Sequence, residues 1–255
     1  MCIRDSSDTI KVTVQRSSGE SSVKHTDTFD VPAYESQTVL DVVSWIQQNA
    51  DPTLSYRFSC RVGMCGSCAM MVNGVPRWTC RTHMSKVLVD NAVDIAPLRN
   101  LPVIKDLVTN MDPFFDKWVA AEGVHHPALT RDDPIKQINT STDSRMQADM
   151  GIECINCSVC YAACDTVSGN EDYLGPAALL RAWTLLNDAK DTGRDKILNA
   201  VSEKGGCHNC HSMGSCTEYC PNELDPMSAI ARLKRESVKR FFKRGNSGNQ
   251  EKSDA

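Results

Sequence analysis

Apolar and polar residues alternate along Thr9-Ile-Lys-Val-Thr-Val-Gln, the period of a strand with one buried face. A turn over 17–22, with Gly19 in it, leads to a second extended stretch over 23–31 that reads as its hairpin partner. The spacing then becomes helical: after Ser36 or Thr38, either able to cap, Val39, Val42, Val43 and Ile46 fall on one stripe. A hairpin followed by a helix predicts a β-grasp core. Pro97 and Pro102 close this first domain, expected over 9–105, and Val103-Ile-Lys-Asp-Leu-Val reads as a short amphipathic helix opening a second domain over 106–244. Met111 to Val119 continues helical, and 122–144 is a polar connector rich in Asp, Thr, Ser and Pro. Gly175-Pro176 opens a packed helix reaching Leu186, Asp195 to Val201 forms a shorter one, and Pro226 introduces a last helix ending near Lys243. Residues 1–8 show no pattern and 245–255 have a disordered composition, so both ends are expected to be disordered.

At 255 residues the chain can hold two domains, each with its own core. Its 13 cysteines exceed what packing needs, so they are disulfides or metal ligands. The N-terminus lacks a charged start followed by an apolar run of about 7 to 15 residues, which favours reduced, metal-binding thiols. No stretch approaches the roughly 18 apolar residues of a spanning helix, so membrane association is expected only through a partner. A net charge of -4 and 6% aromatic residues argue against nucleic acid as the main partner.

The cysteines cluster. Phe58-Ser-Cys60-Arg-Val-Gly63-Met-Cys65-Gly66-Ser-Cys68, with Cys80 beyond it, has the C-x4-C-x2-C plus distant cysteine spacing of plant-type two-iron ferredoxins. Gly63 and Gly66 suit a loop that turns its amides toward sulfides at positive φ. Zinc also takes four cysteines, but its knuckles pair two C-x2-C arms, and these pairs are unequal. Cys154-Ile-Asn-Cys157-Ser-Val-Cys160-Tyr-Ala-Ala-Cys164 is a second centre: in two-cluster ferredoxins the first three thiols hold one cluster and the fourth reaches the other. The matching half is Cys210, Cys216 and Cys220-Pro221, with Met213 where a thiol belongs. A thioether cannot replace that thiolate. The spacing therefore predicts a 4Fe-4S cluster on Cys154, Cys157, Cys160 and Cys220, and a 3Fe-4S cluster on Cys164, Cys210 and Cys216.

With these motifs in place, CRVGMCGSCAM, PLRNLPVIKDLV, CINCSVCYAAC, LGPAALL and CHSMGSCTEYCP resemble, in order, those of the iron–sulfur subunit of the succinate dehydrogenase and fumarate reductase family, from about Ile10 to Phe242. The resemblance implies an α+β chain: an N-terminal β-grasp plant-type ferredoxin domain, then a mainly helical bacterial-type two-cluster ferredoxin domain. It implies an electron-transfer subunit with no dicarboxylate site of its own, carrying electrons through 2Fe-2S, 4Fe-4S and 3Fe-4S clusters. Its partners would be an FAD-containing flavoprotein, where succinate is oxidised or fumarate reduced, and a membrane anchor with quinone. It implies a peripheral protein on the cytoplasmic face of a bacterial inner membrane, or the matrix face in a mitochondrion. His211 stands where the family has a histidine after the first thiol of the second half, which implies contact with a haem propionate or the quinone side. The chain departs from the family at Asp165-Thr-Val-Ser-Gly-Asn, where proline and a quinone-lining tryptophan are usual, and at Cys207.

Cys207 is either a spare structural thiol, which the ligand spacing favours, or an extra ligand to the second centre brought in by Gly205-Gly206. Cys207-His-Asn-Cys210-His211 also spells the haem-attachment sequence, but Cys210 is already required by the cluster. Cys2 is a bystander. His125-His126 reads as a solvated loop rather than a metal site, and Lys239, Arg240, Lys243 and Arg244 as charges complementing a helix C-terminus, with contact to anionic lipid as the alternative. Two other functions use the same cysteines: an iron–sulfur subunit of a different flavoenzyme, and a zinc-stabilised interaction module. Spectroscopy separates the latter, because zinc is silent.

Overall fold

The computed structural model describes residues 9–19 and 24–250, so Cys2 and both outermost expected disordered stretches, 1–8 and 251–255, lie outside the described residues. The chain divides into two compact units, one of Met1–Pro113 with Ile155–Ala163 and one of Phe114–Cys154 with Cys164–Ala255. Among the described residues no helix is long and apolar enough to cross a membrane.

In the first unit β1 (Thr9–Arg16) buries Ile10, Val12 and Val14 and pairs antiparallel with β2 (His25–Pro32), Ile10 facing Val31 and Val12 facing Phe29. Helix α1 (Val39–Asn49) starts in a capping box: the Asp41 amide donates to the Thr38 hydroxyl and the Thr38 amide to the Asp41 carboxylate, so Thr38 rather than Ser36 is the cap. Its stripe of Val39, Val42, Val43 and Ile46 is fully buried in one core with Val12, Val14, Val93 and Ile95. Strands β3 (Ala69–Val72), β4 (Val75–Trp78) and β5 (Ala92–Ala96) complete a sheet of order β2-β1-β5-β3-β4, in which only β1 and β5 are parallel.

The expected helix over Val103 to Val108 is instead a hairpin of β6 (Val103–Lys105) and β7 (Val108–Thr109). The reason is Asp106. Its backbone is left-handed, with φ 48, and its carboxylate accepts from Arg16 Nε at 3.0 Å and from the amides of Ser17 and Ser55 at 3.1 and 3.0 Å. A left-handed residue cannot continue a right-handed helix, and these bonds hold Asp106 in that conformation against a short apolar periodicity. The first unit accordingly runs to Pro113, past the expected boundary at 105 and 106.

In the second unit, α2 (Asp112–Ala120) turns Phe114 inward, although its first two residues belong to the first unit. The polar connector expected to run to 144 ends earlier, at α3 (Asp143–Ile152), whose cap Thr142 accepts from the Arg145 amide. This helix has no apolar stripe because it packs through small residues. A Cβ on Gly151 would stand 2.6 Å from Thr184 Oγ1 and 2.7 Å from Leu180 Cγ. Two short helices in the second cysteine motif are α4 (Val159–Ala162), in the first unit, and α5 (Asp165–Gly169), in the second. Helix α6 (Pro176–Leu186) is buried at every position but Arg181, so it forms the middle of the unit, with α3 and α9 packed on it. Then come α7 (Arg194–Ala200), the single-turn α8 (Ser215–Glu218) and α9 (Pro226–Gln250). The last helix outruns its expected end near Lys243, and the tail expected from 245 is helical to Gln250; no proline follows Pro226 to stop it. Because the helix runs on to Gln250, Lys239, Arg240, Lys243 and Arg244 lie before its last turn and do not complement its C-terminus as expected; Lys239 pairs instead with Glu236 and Arg240 with Asp195.

Arg16 is buried and also pairs with Asp27 at 3.0 Å and with Asp51, whose carboxyl the Thr53 hydroxyl and Arg16 hold at about 2. Arg16 keeps Asp27 and Asp51 when Asp106 is removed, but buried donors that Asp106 serves lose their acceptor, at a cost of about 1–3 kcal/mol. Asp106→Ala should therefore lower the unfolding free energy of the first unit by about that amount, measured by equilibrium unfolding in urea.

Candidate metal centres

The first cysteine group is assembled by the β3–β4 hairpin and the loop before it. Cys68 leads into β3 and Cys80 follows β4. The Thr79 hydroxyl, donating to the Cys68 carbonyl at 2.7 Å, ties the two ends together. Both thiols are buried. Cys60 is half-buried and Cys65 exposed. The loop wraps back on Cys60 through Arg61 and Gly63, at φ 60 and 77, so that the amides of Met64 and Cys65 donate to its Sγ at 3.2 and 3.3 Å. The Ser67 hydroxyl sits 2.8 Å from Cys65 Sγ. Burial raises the Cys65 thiol, but the Cys60 backbone and Ser67 outweigh it and pull it down to about 6. Burial and then the neighbouring Cys68 thiol push Cys80 up to about 12. Thiolates crowded in this way repel one another until a cation joins them, while the amides on Cys60 already suit an anionic sulfur. Both features fit an iron–sulfur group.

Of the second motif, Cys157 and Cys160 belong to the first unit and Cys154 and Cys164 to the second, which also holds Cys220 of the matching half. Asn156 and Ser158 take left-handed backbone, φ 58 and 59, which coils the loop around Cys157. The linker that reads as a domain joint in the sequence also holds this loop within the first unit. Arg99 Nε donates to the Ala162 carbonyl at 3.2 Å and Asn100 Nδ2 to that of Tyr161 at 2.9 Å, satisfying the end of α4. Gly66, at φ 71, lies so close to the same loop that a Cβ there would stand 2.6 Å from Cys157 Cβ and 2.8 Å from its Cα.

Within the second unit Cys164, Cys210 and Cys216 line one pocket, with Met213 and Tyr173 on its wall. Cys164 caps α5, Cys216 lies on α8, and Cys210 ends a 3-10 turn of Cys207–Asn209. Ser212 and Gly214, at φ 57 and 88, bend the chain between Cys210 and Cys216, and the Ser212 amide donates to Cys210 Sγ at 3.4 Å. Lys234 from α9 donates to the Cys210 carbonyl at 2.7 Å. Burial, then Cys164 and Cys210, push the Cys216 thiol up to about 12. His211 is exposed at the pocket's edge. Cys207 is fully buried and does not line the pocket, and burial pushes its thiol up to about 11. Tyr173, which sequence reasoning missed, is 1% exposed; among the described residues its hydroxyl meets no oxygen or nitrogen, and it lies against the Cys210 thiol. Burial first, then the field of Cys210 and Cys164, pushes that hydroxyl above the usual phenol range and keeps it protonated.

The twelve cysteines among the described residues are thiols, none in a disulfide. Among those residues no three His, Cys, Asp or Glu side chains converge closely enough to hold one metal ion; ligands of a multi-iron cluster grip different irons and need not converge. His125-His126 lies in a loop, the His126 amide donating to Asp191 at 2.9 Å and its carbonyl accepting from the Thr192 amide at 2.8 Å.

Residues 9–116 match the family described as a 2Fe-2S iron-sulfur cluster binding domain, and residues 153–225 that described as a 4Fe-4S dicluster domain. The two matches and the thiol-lined loops define an iron–sulfur protein with a two-iron domain followed by a four-iron domain. Its relatives narrow the class. The chain is 37% identical to the fumarate reductase iron-sulfur subunit of Haemophilus influenzae over 85% of its length and 88% of that protein's. It is also 37% identical to the succinate dehydrogenase iron-sulfur subunit of Paracoccus denitrificans, over 80% of its length and 77% of the relative's. A solved chain of the Mycobacterium smegmatis Sdh1 complex in the apo form superposes with a TM-score of 0.78 at 26% identity, covering 92% of this chain and 97% of that one. The chain belongs to the family of succinate dehydrogenase and fumarate reductase iron–sulfur subunits.

Gly66 and Gly74 share left-handed φ, 71 and 76, but a Cβ on Gly74 would meet nothing within 4 Å. Alanine costs about 1–2 kcal/mol in conformation at either position, and only at Gly66 does it also drive into Cys157. Gly66→Ala should lose most of the two-iron visible absorbance per protein, and Gly74→Ala should retain it.

Proposed function

We propose that this chain is the electron-transfer subunit of a succinate:quinone oxidoreductase, carrying electrons between a flavoprotein succinate or fumarate site and membrane quinone. The observation that carries this reading is the contact of Gly66 with Cys157, because it sets one thiol-bearing loop directly against the next. Isolated metal modules need no such contact; a conductor does. In this reading Cys60, Cys65, Cys68 and Cys80 hold the 2Fe-2S cluster, Cys154, Cys157, Cys160 and Cys220 the 4Fe-4S cluster, and Cys164, Cys210 and Cys216 the 3Fe-4S cluster. When bound, the clusters supply one-electron redox chemistry at potentials set by their surroundings. The chain's own residues hold and shield them. Amides of Met64 and Cys65 take charge from the Cys60 sulfur, burial around Cys68, Cys80 and Cys216 excludes water, and Arg99 and Asn100 fix the loop carrying Cys157 and Cys160. Dicarboxylate binding falls to the flavoprotein, and quinone binding to a membrane anchor that would hold this peripheral chain on the cytoplasmic or matrix face, with His211 turned to the quinone side.

Purification from native membranes tests the assignment. A flavoprotein and at least one membrane-spanning subunit should copurify, and paramagnetic resonance should resolve the three cluster types. A preparation containing zinc and no iron sinks it. Met213 is 63% exposed on the pocket wall, so little opposes a fourth ligand there. Met213→Cys should convert the three-iron cluster to a four-iron one, and the signal of the oxidised three-iron centre should disappear. Cys207→Ser should leave both iron content and that signal unchanged; loss of an iron from the variant assigns Cys207 to the centre instead.

A further inference from the structure

Buried hydroxyls nearly always have an oxygen or nitrogen partner, so one at the wall of a thiol-lined pocket that has none calls for an explanation. Among the described residues Tyr173 carries such a hydroxyl, and the acceptor beside it is the Cys210 sulfur. Its backbone is clamped on both sides: the Tyr173 amide donates to the Asn170 carbonyl at 3.1 Å and the Leu174 amide to the Gly205 carbonyl at 2.8 Å. Gly205, at φ 88, is pressed so closely to Asp172 that a Cβ there would stand 2.1 Å from the Asp172 carbonyl oxygen. The ring is thus delivered to the pocket from a rigid turn, with its hydroxyl beside Cys210 and facing the space that Cys164 and Cys216 also line. A phenol can donate one hydrogen bond, and no oxygen or nitrogen among the described residues receives this one.

We propose that the Tyr173 hydroxyl donates a hydrogen bond to a sulfur of the cluster held by Cys164, Cys210 and Cys216, and thereby raises that cluster's reduction potential. The inference rests on the three-iron ligand set proposed above. Reduction adds negative charge to the cluster sulfurs, so a fixed donor favours the reduced form over the oxidised one. The effect requires no proton transfer. A neutral hydrogen bond of ordinary strength corresponds to as much as about tenfold in the ratio of reduced to oxidised cluster at a fixed ambient potential, about 59 mV for a one-electron couple. Gly205 and Tyr173 then act as one device, the glycine setting the turn and the tyrosine making the contact.

The test is Tyr173→Phe in the complex isolated with its partner subunits, which removes the oxygen and keeps the ring. The expected result is an oxidised three-iron signal of parental amplitude whose midpoint, followed by potentiometric titration, is displaced downward by up to about tenfold in that ratio. An unchanged midpoint with the signal intact overturns the role assigned to Tyr173 and leaves the ligand set standing. Disappearance of the signal in the variant also overturns it, because a ring of the same shape would then have failed to hold a centre that the hydroxyl only tunes. Absence of a three-iron signal from the parent complex removes the ligand set and the inference together.

Discussion

Burying anionic sulfur is the constraint on which this structure depends. A thiolate removed from water is costly unless amides, hydroxyls or metal cations meet it, and burial accordingly pushes the Cys80 and Cys216 thiols up to about 12. The response is local and repeated. At Cys60 and Cys210 the backbone reverses within a few residues, through Arg61 and Gly63 in one case and Ser212 and Gly214 in the other, and the reversal turns amides onto the sulfur. Non-glycine residues hold left-handed backbone at Arg61, Asn156, Ser158 and Ser212, each within two residues of a thiol.

The scaffold around the loops has a different stabilising logic. The sheet and α1 bury a continuous aliphatic core, and α6 gives the second unit a nearly all-round apolar axis. Ionic burial in the first unit is concentrated at Arg16 and Asp106, far apart in the chain, which join the first strand to the final hairpin of the sheet domain. Loops under strain therefore hang from elements that have independent reasons to be stable.

The parts of the fold that follow from simple periodicity were legible in the sequence: the β1–β2 pair, α1 with its stripe, and α6 with proline in its first turn. What periodicity could not show was decided by polar or steric detail. Val103 to Val108 has helical spacing, yet Asp106 prefers Arg16 and two distant amides. Helix α3 has no stripe because its contact with α6 is a glycine. The thiol groups stood out in the sequence by their spacing, and Cys164, Cys210 and Cys216 line one pocket in the structure. Tyr173 carries no such signal; a tyrosine before a helix reads as core, and only the placing of its oxygen against the Cys210 thiol marks it out.

The segment Ile155–Ala163 belongs to the first unit although the chain has by then already begun the second. A ribosome that has made the whole sheet has not yet made the piece packed against it at Gly66. The first unit is therefore complete only once synthesis has passed residue 163, well beyond the chain's midpoint, although its sheet and the thiols Cys60, Cys65, Cys68 and Cys80 are all made by residue 96.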